Sequence, residues 1–295
     1  MAAPKRVLVI GDVLTDITAR LSGPIAIGSD RRAEILVQPG GSAATQSLWL
    51  ARLGLGVDFV AKVGAADLDR ERARFRAAGV TPHLAADPER QTGRLIALVD
   101  PSGERSFLTD RGANDALEAA DVSDALIAGA GHIHISGYAL VSPVTRSAMA
   151  DVLRRAGGKP VSVDPGSAEF LRELGPGAFL DAIAGAEILF PNAEEAEVLA
   201  GSRNVARQRE ILTRRFPLVV AKRGASGAEV WRGAEVLRAP ARLAKVVDTT
   251  GAGDAFAAAF LAARLCGADL QTCLERAVAA GSAAVEVLGG APGRG

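Results

Sequence analysis

The 295-residue sequence balances 34 Lys+Arg against 34 Asp+Glu, with 48% apolar and 23% charged residues. That composition argues against disorder and against a partner that is a polyanion or a membrane surface, so neither nucleic acid nor membrane is expected. Aromatic residues make up only 4% of the chain, too few for a stacking platform on single-stranded nucleic acid.

The N-terminus runs directly into the apolar segment 7–10, which is too short for a signal-peptide core and stops at Gly11-Asp12. Strands are predicted at 7–10, 57–63, 95–99, 132–136, 161–164, 188–190 and 218–222. Several are apolar at nearly every position, as strands buried on both faces are. Helices are predicted between them at 42–53, 67–78, 143–155, 193–200 and 205–214, and two Ala-rich helices close the chain at 253–265 and 269–288. This alternation calls for a mostly parallel central sheet flanked by helices, an α/β fold. The longest Ala-rich apolar stretch, 255–265, is interrupted by Arg264 and falls short of a membrane span. Two regions break the alternation. Segment 25–37 places Ile35 and Val37 on one face and Glu34 and Leu36 on the other, and segment 95–109 reads as a hairpin turning at 101–104. A small β lid built from two insertions accounts for both, and so do ordinary surface hairpins. Cys266 and Cys273 match neither a redox pair nor a zinc knuckle and read as packing thiols. No repeat or linker divides the chain, so a single domain over 1–295 is expected, in the cytoplasm.

The first strand-to-helix turn, 11–16, lacks the later glycines of a dinucleotide site, and no Gly-x4-Gly-Lys-Ser/Thr occurs. Rossmann and P-loop sites are therefore not expected. Instead the turn offers Asp12 and Asp16, carboxylates able to accept hydrogen bonds from a polyol; helix capping and turn formation explain either residue as well. Gly40-Gly41-Ser42 precedes a helix, where small residues let a ligand approach and free N–H groups can donate to it, although this is also a common junction. The most informative stretch is Asp248-Thr249-Thr250-Gly251-Ala252-Gly253-Asp254 before an Ala-rich helix. Its glycines let successive N–H groups curl into one concavity, and the helix adds the positive end of its dipole. Such a nest suits a phosphate gaining charge during transfer, and Asp254 stands where a hydroxyl attacking that phosphate needs a base. The bland alternative is a helix cap with Asp254 as a first-turn acid. His132-Ile133-His134 puts two imidazoles on one strand face, but no third ligand is evident, so a position without metal is expected.

The 248–254 stretch resembles the C-terminal signature of the PfkB, or ribokinase-like, carbohydrate kinases. The resemblance extends along almost the whole chain: Gly11-Asp12 through Asp16 is similar to the family's sugar-contacting turn, and Gly40-Gly41 to its Gly-Gly signature. Pro191-Asn192-Ala193-Glu194-Glu195 resembles its Asn-x-x-Glu element, and 222–227 its nucleotide loop, placing Lys222, Gly224 and Gly227 near ATP. It implies a ribokinase-like fold whose lid, formed by about 17–38 and 92–111, covers the sugar, and ATP-dependent phosphorylation of a sugar-like alcohol. By position, Asp254 is the general base and Gly251, Ala252 and Gly253 supply the anion hole. Asn192 and Glu195 serve the phosphates and Mg²⁺, Glu195 through water, though the same residues also read as a capping box. Asp248 and Thr250 match positions that hold a monovalent cation in relatives, with K⁺ as a possible activator and carbonyls of 281–290 completing the site.

Departures from the family pattern bear on the substrate. Thr45 stands where the family has a sugar-binding Asn, while Gln46 is turned away by the helical period. Lys222 replaces a frequent Thr, which affects only a nucleotide contact. Arg111, Asn114 and Tyr138 head from the lid hairpin and the following strand toward the sugar site and are substrate-contact candidates; a solvated Arg111 is the alternative. Sparse aromatics favour a sugar over a nucleoside, since a base would want stacking partners. The remaining alternatives are a nucleoside kinase of the same fold and a sugar-binding regulator without turnover. Lids of relatives clasp into dimers, so a homodimer through the lid is expected.

Overall fold

Side chains of β1 (Arg6–Ile10) alternate between two cores: Val7 and Val9 point into one, Leu8 and Ile10 into the other. Period-two alternation with both faces covered is what an all-apolar strand requires. The computed structural model describes residues 6–102, 104–287 and 289–292. After β1 come β2 (Leu14–Leu21), β3 (Ala33–Gly40), α1 (Ser42–Arg52), β4 (Gly56–Gly64), α2 (Leu68–Ala77) and β5 (Val80–Asp87). Then follow β6 (Thr92–Val99), β7 (Arg105–Gly112), α3 (Asp124–Gly129), β8 (His132–Ser136), α4 (Pro143–Ala156) and β9 (Val161–Asp164). The C-terminal half holds α5 (Ala168–Leu174), α6 (Pro176–Ala182), β10 (Ile188–Leu189), α7 (Ala193–Ala200), α8 (Val205–Thr213) and β11 (Leu218–Lys222). It closes with β12 (Ala228–Arg232), β13 (Glu235–Ala239), α9 (Ala252–Leu265) and α10 (Leu270–Ala284).

A nine-stranded sheet runs in the order β13-β12-β11-β10-β9-β8-β1-β4-β5. It is parallel from β11 to β5, and the β12–β13 edge is antiparallel. Helices α1, α2, α9 and α10 bury Leu50, Phe75, Phe260 and Leu274 on one face. On the other, α3 to α8 bury Ile127, Met149, Leu171, Phe179, Leu199 and Leu212. A separate four-stranded sheet, β3-β2-β6-β7, is assembled from two stretches far apart in the chain, with β2 parallel to β6 and the outer pairs antiparallel.

The expected mostly parallel sheet with flanking helices is present. Some details differ. Strands β2, β5, β12 and β13 and helices α3, α5 and α6 are additional to the expected elements. In the irregular region 25–37 the strand begins only at Ala33; Ile35 and Val37 share one face and Glu34 and Leu36 the other, as expected, and Ile35, Leu36 and Val37 are all exposed. The last helix stops at Ala284, short of the expected 288; Leu288, like Gly103 in the predicted 101–104 turn, lies outside the described residues. Cys273 packs in the core, but Cys266 is exposed and is no packing thiol. Among the described residues no helix is long and apolar enough to cross a membrane.

Candidate active site

Parallel strands leave their backbone turns and following helices at the carboxyl edge, the usual ligand side of an open α/β sheet. Here Asp12 follows β1, Tyr138 follows β8, Asp164 ends β9, Asn192 follows β10 and Lys222 ends β11. Together with the start of α9 and one face of the four-stranded sheet they enclose a cavity of about 1280 Å³. Its wall includes Asp12, Asp16, Gly40, Gly41, Thr45, Arg111 and Tyr138 toward the smaller sheet. Toward the other end lie Asn192, Glu195, Lys222, Gly224, Gly227, Thr250, Gly251, Ala252, Gly253 and Asp254. Of the residues singled out from the sequence, Asn114 and Asp248 are not on this wall.

Asp254 sits in the first turn of α9, whose entry is Gly251 with φ of 74°, a left-handed conformation that L side chains rarely adopt. A Cβ there would also collide with the backbone of Gly290. First-turn N–H groups have no partner inside their own helix, so the concavity at 251–254 retains donors for an anion. Ser42 Oγ donates to Asp254 Oδ1 at 2.6 Å, tying the start of α1 to the start of α9. Burial pushes the Asp254 carboxyl well above its ordinary range; the Ser42 hydroxyl and Lys222 pull it down, while Asp164 and Asp12 push it further up. A carboxylate so placed is a stronger proton acceptor than one in water.

Lys222 Nζ donates to Asp164 Oδ2 at 2.8 Å, both side chains being largely buried. Burial alone would depress this ammonium, but Asp164 and Glu195 outweigh it and hold it above its usual value. Asp164 was not anticipated. Its signal was available, a lone acid closing the apolar strand 161–164, yet its partner lies on a distant strand. Asn192 and Glu195 form a reciprocal capping box: Glu195 N–H donates to Asn192 Oδ1 at 2.9 Å and Asn192 N–H to Glu195 Oε2 at 2.8 Å. Burial raises the Glu195 carboxyl, with Lys222 opposing. The capping role and a place on the cavity wall therefore coexist.

At the other end the expected free N–H groups of the Gly-Gly-Ser junction are spoken for. Ser42 N–H donates to Asp12 Oδ2 at 3.0 Å and Ala43 N–H to Asp12 Oδ1 at 3.3 Å, so Asp12 caps α1 across the positive-φ Gly41. The Ser136 hydroxyl donates to the same carboxylate at 3.1 Å. Asp16 belongs to β2 in the smaller sheet, and not to the first turn; its Oδ1 is buried without a partner. Burial, then Asp12 and Asp248, push its carboxyl up to about 6. Arg111 is buried, not solvated: Nε donates to Asp115 and Nη2 to the Tyr138 carbonyl, while Nη1 finds no partner. Two orphaned polar atoms on one wall, an acceptor and a donor, match the hydroxyls of a polyol. Asn114 corrects its assignment as a substrate contact. Its amide bridges the N–H and carbonyl of Val13, each at 2.9 Å, and also reaches the Arg111 carbonyl, so it fixes the turn from inside. Gln46 points away from the cavity to His134 Nε2 at 2.9 Å, and His132 and His134 both meet Ser162 Oγ at 2.7 Å. Burial lowers these imidazoles to about 4 and about 3, so both are neutral at physiological pH.

The proposed monovalent-cation position is a further correction. Asp248 Oδ1 accepts from Arg105 Nη1 at 2.8 Å and from Thr250 N–H at 3.0 Å, and its Oδ2 accepts from Gly289 N–H at 3.1 Å. Arg105 also reaches Thr250 Oγ1 at 3.2 Å. Burial would raise the Asp248 carboxyl, but these donors hold it at about 2. The carbonyl of Val285 accepts from the N–H groups of Val247 and Asp248, and that of Gly290 from the Trp49 indole. The residues present do not fit a metal ion here, because the oxygens face donors.

The sequence pattern of the pfkB family carbohydrate kinases matches residues 4–293. The chain belongs to that family. An ATP-dependent ribose-1-phosphate kinase of Halopiger xanaduensis is similar to this pfkB kinase at 33% identity over 291 residues, covering 94% of this chain and 90% of that one. Among solved structures, an adenosine kinase from Sinorhizobium meliloti superposes with a TM-score of 0.88 at 27% identity, covering 99% of this chain and 96% of that one. An E. coli structure determined with ATP and Mg²⁺ gives 0.86 at 26% identity, covering 97% and 94%.

Proposed function

We propose that this pfkB kinase transfers the γ-phosphoryl group of ATP to a hydroxyl of a sugar or sugar-like small molecule. The observation that carries the reading is Asp254, oriented by Ser42 and standing at the anion nest of α9 inside the cavity. The acceptor hydroxyl gives its proton to the Asp254 carboxylate as its oxygen bonds the γ-phosphorus, and ADP departs with the electrons of the broken bond. Charge growing on the transferred group is met by the N–H groups of 251–253, and Lys222 neutralises phosphate oxygens from the side. Glu195 and Asn192 would hold Mg²⁺ through water, and the ion would add positive charge at the phosphates. The donor set fits, since each Glu195 oxygen keeps a lone pair beyond the capping contacts.

The orphaned Asp16 and Arg111 atoms, with Asp12 and Thr45, form the acceptor end. A cavity larger than a typical single-ligand pocket has room for acceptor and nucleotide together. The four-stranded sheet acts as a lid, within a single kinase domain over 1–295, and its closure would exclude water and suppress ATP hydrolysis. Its outer face carries Ile17, Ile35, Val37, Ile96, Leu98 and Leu108, by the alternation of registers. Ile35, Val37 and Leu108 are exposed there, and a second copy of the chain would cover them in a dimer. A cytoplasmic setting supplies the ATP and suits two unpaired cysteines.

A nucleoside acceptor remains a second reading, for a specific reason. The scarcity of aromatics does not extend to the cavity, where Phe107 reaches in from β7 and Tyr138 and Phe170 pack edge to face at 5.6 Å. Thr45 in place of an asparagine removes one amide anchor, so ribose and fructose should be weak acceptors. A panel of sugars, sugar phosphates and nucleosides read by ADP release tests the proposal. No acceptor-dependent ADP release across the panel, with ATP bound, would leave the binding-only regulator as the better description.

A further inference from the structure

The segment that opens the anion nest already holds a cation. Arg105 begins β7, and residues 107, 109 and 111 of that strand line the cavity, so period-two alternation places Arg105 on the same face. Its Nη1 lies 2.8 Å from Asp248 Oδ1 and 3.2 Å from Thr250 Oγ1, joining residues 143 positions apart in sequence. We propose that Arg105 is the resident cation of this kinase: a guanidinium carried on the lid replaces the monovalent metal ion at Asp248 and Thr250 and couples the lid to the nest. The proposal rests on the reading of 248–254 as the phosphate site.

Three observations carry it. An alkali ion needs several oxygens turned toward it, yet Asp248 already accepts three hydrogen bonds, and the carbonyls of Val285 and Gly290 are engaged by N–H donors. Asp248 is ionised and lies three residues before Gly251, so without a counter-charge it would repel an incoming phosphate. Its field extends as far as Asp16, whose carboxyl it helps to raise. The third is the position of the charge on a lid strand. Closing the lid brings the guanidinium to the nest, and opening it withdraws the compensation.

Wild type, Arg105→Met and Arg105→Lys would be compared at matched ionic strength in potassium chloride and in tetramethylammonium chloride. Wild type should transfer phosphate at the same rate in both salts. Arg105→Met should lose at least tenfold in kcat, and Arg105→Lys should stay within about threefold of wild type, because a single nitrogen makes both contacts. Independently of turnover, hydrogen–deuterium exchange on the nucleotide-free protein should speed up at 248–254 and 105–112 in Arg105→Met alone. Stimulation of wild type by potassium, an undiminished rate in Arg105→Met, or exchange at 248–254 that does not change in that variant would each overturn the proposal. The exchange arm needs no acceptor, so a protein inactive on every alcohol would sink the kinase reading while this contact remained open to test.

Discussion

Strands β1 and β3 are both rich in Val, Ile and Leu, yet they end up in opposite surroundings. Val7, Leu8, Val9 and Ile10 are 0% exposed, whereas Ile35, Leu36 and Val37 are 65%, 41% and 61% exposed. Composition does not separate them; cover does. Helices close both faces of the large sheet, while the small sheet has the cavity on one side and solvent on the other. The groups that must keep fixed geometry, Asp254, Lys222 and Asp164, stand on elements of the large sheet and its helices. The unpartnered polar atoms proposed to meet an acceptor, on Asp16 and Arg111, ride on the small one. Local stability follows buried contact, so the two sheets should open with very different free energies.

Removing a ring from the covered sheet should have the largest effect. Phe59 is fully buried against Phe75 at 4.7 Å between centroids, and Phe59→Ala should cost about 3–5 kcal/mol by denaturant unfolding. A loss below about 1 kcal/mol would mean that the large sheet is less tightly held than its burial implies. Next comes Asp254→Asn, which should bind ATP as before and lose roughly 10²-fold or more in turnover, about 2.7 kcal/mol of transition-state stabilisation. Near-normal turnover would remove Asp254 from the role of base.

Asp16→Asn sharpens the contrast through pH. Below the unfolded carboxyl's range both states are protonated and the substitution should be neutral. As pH rises toward about 6, unfolding releases a proton that the folded carboxyl retains, so wild type loses stability and the amide variant does not. At pH 7 Asp16→Asn should be more stable by up to about 3 kcal/mol, with weaker acceptor binding. Equal melting temperatures from pH 4 to 7 would contradict the burial of that carboxylate. The smallest change in monomer stability is expected for Leu108→Ser on the outer face of the small sheet, within about 0.5 kcal/mol. Its effect should be on assembly, read by light scattering as a shift from dimer to monomer; a wild type that is already monomeric would remove the outer-face contact.

The parts legible in the sequence were those whose chemistry is local. The Gly251 turn that opens α9, the Asn192–Glu195 box and the buried strands around 7–10 and 161–164 each carry their reason within a few neighbouring residues. Asp164 and Ser42 escaped because their partners are 58 and 212 positions away, and no local pattern announces such a meeting. Strand β2 is interspersed with Thr, Asp and Arg, and β5 contains Pro82, so neither shows the apolar run that marked the others. Helices α5 and α6 meet at Gly175-Pro176 and are each seven residues long, too short for a helical period to declare itself. Asn114 misleads for the converse reason. It lies near the site in sequence, but its amide is consumed by the backbone of Val13.

The contact between Gly251 and Gly290 has a practical consequence for anyone shortening or extending this chain. Residues 289–290 are held from two directions, by Gly289 N–H on Asp248 and by the Trp49 indole on the Gly290 carbonyl, and they back the turn that bends into α9. Gly290 also lines the cavity at the end proposed to receive phosphate, so this segment is not a disposable tail. A chain trimmed after Val287 should still fold around its two cores and should fail first in handling nucleotide. A bulky fusion joined directly at 290 should show the same defect, so purification tags belong at the other end.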